Sequence, residues 1–303
     1  MKTKTKLDAV FEEAFPVPFD EKSKFVFFSD IHRGDDSLSD EFGRNRHIYS
    51  HALDYYYQND YTYIEVGDGD ELWEHKKYST ICTAHASVFQ KLKLFYDKGR
   101  MLMLFGNHNI QLSNPDYVSE NLYSYYNVYG QTKVELFPGI VPHEALILTH
   151  RKTGQKIFVV HGHQGDFMND QMWWLSHIFI RYGWRFMHNV GIKYAARPAT
   201  SRAKRHRIEK NYDKWIRINK TMLICGHTHR AKFPADNELP YFNTGCCMHP
   251  RGITCIEITN DMISLVAWNM ASNLDGMLYI KRTVLRGPEP ILKFDEKTQI
   301  KET

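Results

Sequence analysis

Short apolar runs recur along the chain, each giving way to polar residues after a strand's length. Residues 25–29, 63–66, 101–105, 145–149, 157–160 and 222–225 are of this kind, rich in β-branched and aromatic side chains. Between the first three lie residues 44–58 and 83–96, where apolar positions fall at helical spacing. The first hundred residues therefore read as β-α-β-α-β, a sheet with helices packed on it. Further strands are predicted at 241–244, 253–258, 263–267 and 278–284 with no helices between them, which suggests a second, more antiparallel sheet. The fold class these patterns predict is α/β, a two-sheet sandwich flanked by helices.

Residues 167–219 differ in character. Met172, Leu175, Phe179, Tyr182 and Phe186 recur at three- and four-residue steps while Arg181, Arg185 and His188 fall on another face, so an amphipathic helix is expected. Pro198 separates it from a second, basic helix running to about residue 219. Charge changes the picture here more than anywhere else. The chain carries 39 Lys and Arg against 35 Asp and Glu, and residues 171–220 alone hold twelve of the basic residues and only two of the acids. The rest of the chain is net negative. Four of the six tryptophans, Trp173, Trp174, Trp184 and Trp215, lie in the same segment. A focused positive potential of this kind predicts an anionic partner. From residue 287 onward a loosely held tail is expected, so the domain is read as residues 1–286 with the insertion at 167–219 and a tail at 287–303.

The 303 residues are enough for one large domain with an insertion, and 43% hydrophobic against 24% charged residues excludes a disordered or fibrous chain. The longest apolar runs, 101–105 and 157–160, are far short of a membrane span. Near the N-terminus, Asp8, Glu12 and Glu13 occupy the positions where a secretory signal needs its apolar stretch. Five cysteines without regular spacing make no disulfide framework, and adjacent Cys246 and Cys247 read as reduced, packed thiols. The expectation is a cytoplasmic protein, with the basic aromatic segment able to meet a membrane surface.

The candidate chemistry lies at the strand ends. Five predicted strands run into Asp30-Ile-His32, Gly67-Asp-Gly-Asp-Glu71, Gly106-Asn-His-Asn109, His161-Gly-His163 and Gly226-His-Thr-His229. In sheets with crossover connections the carboxyl ends of the strands share an edge, so these blocks can converge on one ligand. Each block alone is weak. Gly-Asn-His-Asn is a good turn sequence, and an isolated Asp-x-His is usually a turn. His-Thr-His, read as strand, puts both imidazoles on one face. The conjunction carries the argument, because six of the sixteen histidines lie in these blocks and each block follows a strand.

In that order the blocks resemble the pattern of the calcineurin-like metallophosphoesterases: Asp-x-His, Gly-Asp-x-x-Asp/Glu, Gly-Asn-His-Asp/Glu, a later His, and Gly-His-x-His. The resemblance covers residues 24–243. It implies an αββα sandwich, here with a helical lid insertion, and two divalent metal ions. One ion would be held by Asp30, His32 and His229 and the other by Asn107, His161 and His227, with Asp68 bridging. A carboxylate, amide and imidazole donor set suits Mn²⁺, Fe or Zn²⁺ better than Ca²⁺, and a pair of Mn²⁺ ions is expected here. Two such ions can hold a bridging hydroxide and clamp a phosphoryl group for in-line attack. His108 stands in the position of the general acid. Asn109 stands where the family has a carboxylate, so the charge expected to support that histidine is missing there. Arg33 reads either as a bidentate phosphate grip or as a solvated surface arginine. His163 reads either as a group orienting a ligand or touching phosphate, or as a turn histidine in solvent. Residues 67–73 resemble the Gly-Asp-x-x-Glu-x-Trp of the members that cleave UDP-2,3-diacylglucosamine, which also carry a helical insertion. That likeness implies a nucleotide-diphosphate lipid as substrate, with Trp173 and Trp174 in a lid over it. A nuclease or nucleic-acid phosphodiesterase tracking a phosphate backbone with the same segment, a small-molecule phosphatase or nucleotide phosphodiesterase with a capping lid, and a non-catalytic metal-stabilised binding module are the competing readings.

Overall fold

The computed structural model describes residues 3–127, 129–165 and 202–298, and in them the alternation of strands and helices resolves into two main sheets. One contains β1 (Phe15–Phe19) beside β7 (Ala145–His150), β8 (Lys156–Val160), β9 (Met222–Cys225) and β10 (Tyr241–Asn243). The other runs from β13 (Leu278–Pro290) through β12 (Met262–Ser272), β11 (Ile253–Thr259), β2 (Phe25–Phe28) and β3 (Thr62–Val66) to β4 (Met101–Leu104). A small antiparallel pair, β5 (Ser124–Asn127) with β6 (Thr132–Glu135), stands apart.

Period-two alternation divides the core. In β2, Phe25 and Phe27 face the other sheet while Val26 and Phe28 face the helices. In β8, Ile157 and Val159 point between the sheets, and Phe158 and Val160 point to the opposite helical layer. Both faces of these central strands are buried, which is why they read as continuous apolar runs. Helices Arg46–Gln58 and Ala86–Asp97 cover one side, and helices Thr3–Glu12 and Arg202–Asn219 cover the other. The layers are thus α, β, β, α.

Three expectations need correction. The late antiparallel strands do not form a second sheet: β11, β12 and β13 extend the first one from β2, while β10 joins β9 in parallel. The helix expected at 83–96 is two, Tyr78–Ala84 and Ala86–Asp97, interrupted at His85, whose Nε2 pairs with Asp40 at 2.7 Å. Residues 287–298 are no loose tail, and the rest of that expected tail lies outside the described residues. They complete β13 and enter helix Ile291–Thr298, whose Ile291 and Phe294 are buried between the sheets. Of the insertion expected at 167–219, residues 167–201 lie outside the described residues, and Trp173 and Trp174 with them.

Candidate metal centre

Strands β2, β3 and β4 are parallel neighbours in one sheet, and β8 and β9 are parallel neighbours in the other. Their carboxyl ends therefore deliver five loops to one edge of the sandwich. Backbone hydrogen bonds lock the loops together. Asp30 N donates to Gly67 O at 3.2 Å, Ile31 N and His32 N both donate to Asp68 O at 3.0 Å, and Gly226 N donates to His161 O at 3.0 Å.

Each of the two central carboxylates is divided between backbone and imidazoles. Asp30 Oδ2 accepts from His227 N at 2.8 Å, leaving Oδ1 at 3.1 Å from His229 Nε2 and 3.9 Å from His32 Nε2. Asp68 Oδ1 accepts from His108 N at 2.8 Å, leaving Oδ2 at 3.1 Å from His161 Nε2 and 3.8 Å from His32 Nε2. Ligand atoms of Asp30, His32 and His229 lie within 4.8 Å of one another, and so do those of Asp68, His161 and His227. Asn107 follows Gly106, which is packed tightly on the Asp68 carboxylate, and its main-chain oxygen accepts from Trp73 Nε1 at 2.6 Å.

Asp30 Oδ1, His32 Nε2, His161 Nε2 and both side-chain polar atoms of Asn107 are buried and make no hydrogen bond. Orphaned polar atoms of this number are costly, and their donor types suit divalent cations. The distal nitrogens are oriented as ligating imidazoles require: His161 Nδ1 donates to Val66 O at 2.9 Å, and His32 Nδ1 lies 2.9 Å from Glu71 Oε2. The residues present therefore fit a pair of metal ions.

The electrostatics point the same way. Burial alone would raise the Asp30 carboxyl, yet His229 and His32 hold it well below the usual carboxylate range. Asp68 is likewise held down, against burial, by His161 and His108. Conversely, although burial opposes it, Asp30 and Glu71 push His32 up to about 10, and Asp68 pushes His161 up to about 9. The cluster demands positive charge, which protons or cations can supply, so metal binding would release protons.

Backbone strain is concentrated at the same residues. Asp30, His32, Asp68, His227 and His229 have φ of 50°, 52°, 51°, 65° and 55°, in the left-handed region that costs a non-glycine residue about 1–2 kcal/mol. The last two overturn the strand argument for His-Thr-His. β9 stops at Cys225, and the imidazoles do not share a strand face: His227 joins the Asp68 cluster and His229 the Asp30 cluster.

Other expectations change. The carboxylate partner of His108 is not position 109 but Glu71, whose oxygens lie 2.8 and 2.9 Å from His108 Nδ1. Glu71 thereby serves His32 and His108 together, and these imidazoles hold its carboxyl well down despite burial. Asn109 clamps the turn, its Oδ1 accepting from Gly106 N at 2.7 Å. Trp73 is buried and stacks on the His108 ring at 4.0 Å, so the tryptophan of residues 67–73 is scaffold for the site.

Arg33 grips no phosphate and is not on the surface. It is fully buried, with Nη1 and Nη2 each 2.9 Å from the Glu65 carboxylate and Nε 2.7 Å from Asp70 Oδ1. Two buried carboxylates inside a helix-covered sheet require that cation, which outweighs the pull of solvent on it. His163 is buried as well, beside His161 with ring centroids 5.6 Å apart, and burial and the neighbouring imidazoles push it well below the ordinary histidine value.

The model of a family described as calcineurin-like phosphoesterase matches residues 23–231. Among solved structures, similarity extends to a cold-active protein-tyrosine phosphatase from a psychrophilic Shewanella species. It is 12% identical, with 90% of this chain and 83% of that chain covered and a TM-score of 0.38. Vps29 of Chaetomium thermophilum is 9% identical, with 88% and 96% covered and a TM-score of 0.37. No curated protein matches the chain significantly.

Proposed function

This chain belongs to the calcineurin-like phosphoesterases, a family of metal-dependent hydrolases. On that premise we propose that the loop cluster is a two-ion centre cleaving a phosphoester whose leaving group is an alkoxide. Asp30, His32 and His229 would hold one ion and Asn107, His161 and His227 the other, with Asp68 between them. The observation that supports this reading is that the ligand atoms of Asp30, His32 and His229 and those of Asp68, His161 and His227 form two clusters linked through His32 and Asp68, with Asp30 Oδ1, His32 Nε2, His161 Nε2 and the Asn107 amide buried without a hydrogen bond. Divalent cations there, Mn²⁺, Fe or Zn²⁺ by the donor set, would supply Lewis acidity toward a phosphoryl group and activate water.

The chain's own residues supply the rest. His108, 20% exposed at its side chain, is fixed by Nδ1 on Glu71 and by the stacked Trp73 ring. Its Nε2 is then the nitrogen available to donate a proton to a departing oxygen. An alkoxide needs such a donor; the phosphate released from a pyrophosphate needs it far less. The pairing therefore favours an ester over the nucleotide-diphosphate lipid suggested by residues 67–73.

The test is a leaving-group comparison. With Mn²⁺ present, His108→Asn should slow hydrolysis of an alkyl phosphoester by about 10²–10⁴-fold and that of a p-nitrophenyl ester much less. Equal losses on both substrates would remove the acid role, and no Mn²⁺-dependent hydrolysis of any ester by the unaltered protein would remove the proposal.

A further inference from the structure

Helix Arg202–Asn219 has two opposed faces. Ile208, Tyr212, Trp215 and Ile216 are buried against the sheet, and the Tyr212 hydroxyl donates to Gly162 O, tying the helix to the loop between His161 and His163. On the other side Arg207, Lys210, Lys214 and Arg217 are all exposed. Their spacing of three, four and three residues puts them on one narrow stripe, about 15 Å long at 1.5 Å per residue. Among the described residues none of the four makes an ion pair. Glu209 and Asp213 lie half-buried on the flanks.

We infer that this stripe binds the sugar-phosphate backbone of a duplex nucleic acid, an inference that rests on the phosphoester reading by naming its substrate class. Charge complementarity supplies the attraction: a row of exposed cations matches a row of phosphates. The form of the face selects among anionic partners. Insertion into a membrane needs an apolar helix face at the surface, and here the apolar face is committed to the protein core. A single strand needs aromatic platforms for its bases, whereas Tyr212 and Trp215 are turned inward. A duplex keeps its bases stacked and offers phosphates alone. The leaving group of a cleaved phosphodiester is an alkoxide, which is what the His108–Glu71 pair is arranged to protonate.

The experiment is fluorescence anisotropy of a labelled DNA duplex of about 20 base pairs, in EDTA so that nothing is cleaved, across a series of KCl concentrations. Four neutralised phosphates should give a slope of log K against log salt of about −3 to −4. Lys210→Gln with Lys214→Gln should make the slope shallower by about 2 and weaken low-salt binding at least about tenfold. Arg207→Gln with Arg217→Gln should do the same, and far-UV circular dichroism shows whether the helix persists in each. Absent duplex binding, an unaltered slope in both folded variants, or tighter binding of a single strand of the same length would overturn the inference. Binding to vesicles of phosphatidylglycerol in phosphatidylcholine, weakened by the variants while duplex binding is not, would overturn it too. Hydrolysis of bis-p-nitrophenyl phosphate by the unaltered protein separates the two ideas. Hydrolysis without duplex binding defeats the stripe and leaves the phosphoester reading standing. Duplex binding without hydrolysis of any ester upholds the stripe and defeats that reading.

Discussion

Replacing Arg33 by Met tests the logic of the site's foundation. The guanidinium makes three charge-assisted hydrogen bonds, two to Glu65 and one to Asp70, and all three residues are fully buried. It lies 5.1 Å over the Phe89 ring. Methionine keeps most of the volume and removes the cation, stranding two carboxylates that, among the described residues, only the Tyr63 and Tyr78 hydroxyls still serve, at 2.8 and 3.1 Å. Breaking a buried pair in this way costs about 3–5 kcal/mol. Arg33→Lys keeps the charge but cannot reach both carboxylates with one fork, so an intermediate loss of about 1.5–3 kcal/mol is expected. Adding Glu65→Gln and Asp70→Asn to Arg33→Met should recover much of the loss, because the stranded charges are then gone. The assay is urea unfolding with metal chelated, comparing midpoints at constant slope. The same variant should weaken Mn²⁺ binding. Arg33 N donates to Gly69 O at 2.9 Å and Arg33 O accepts from Glu71 N at 3.0 Å, so the residue also joins the loops that carry His32 and Asp68. A loss below about 1 kcal/mol, accompanied by a raised KM alone, would refute this account and restore Arg33 to the substrate.

Other consequences follow from the same geometry. Asp68→Asn should abolish turnover and lower Mn²⁺ stoichiometry together, as isothermal titration would show; retained activity would contradict its place between the triplets. Gly226→Ala would drive a methyl group into the Ser29 hydroxyl and the Asp30 carboxylate, and should both destabilise the protein and weaken metal binding, read by urea unfolding with and without Mn²⁺. Burial would raise the Asp40 carboxyl, but His85 and the backbone N–H groups of Asp36 and Gly43 hold it below 3.8. Its contribution is therefore fully present above about pH 4 and lost as pH falls through the lowered value. Unfolding midpoints between about pH 3 and 6 should consequently fall less steeply in His85→Leu than in the unaltered protein; identical pH profiles would exclude the pair as a source of acid sensitivity.

The parts legible in the sequence are those governed by local periodicity. Phe25 to Phe28 alternate between two cores, and the polar blocks directly after β2, β3, β4, β8 and β9 meet because parallel strands end on one edge. Longer-range constraints were invisible to periodicity. Pro16 and Pro18 argue against a strand, yet β1 is an edge strand of its sheet, where a missing N–H is tolerated. Glu65 interrupts an apolar strand, and periodicity does not show that its partner is Arg33, 32 residues earlier. The residues after 287 carry charges and prolines that suggest a tail, while Ile291 and Phe294 close the core between the sheets.

Within the site, the same distinction separates which residues meet from how they meet. Motif order identifies Asp30, His32, Asp68, His227 and His229 as candidates, but nothing local in Asp-Ile-His or His-Thr-His calls for a positive φ at each of them. Strand geometry would have sent His227 and His229 to the same side; the left-handed turns instead send them to different triplets. Such conformations persist only where the surrounding structure over-determines them, and here the bonds from His227 N to Asp30 and from His108 N to Asp68 do so. Those bonds tie one sheet's loops to the other's and the third loop to the second, so the strain is distributed over the whole edge of the sandwich. A ligand set built this way is set by the packing of the two sheets before any ion binds, and substitutions that loosen that packing should lower metal affinity without touching a ligand.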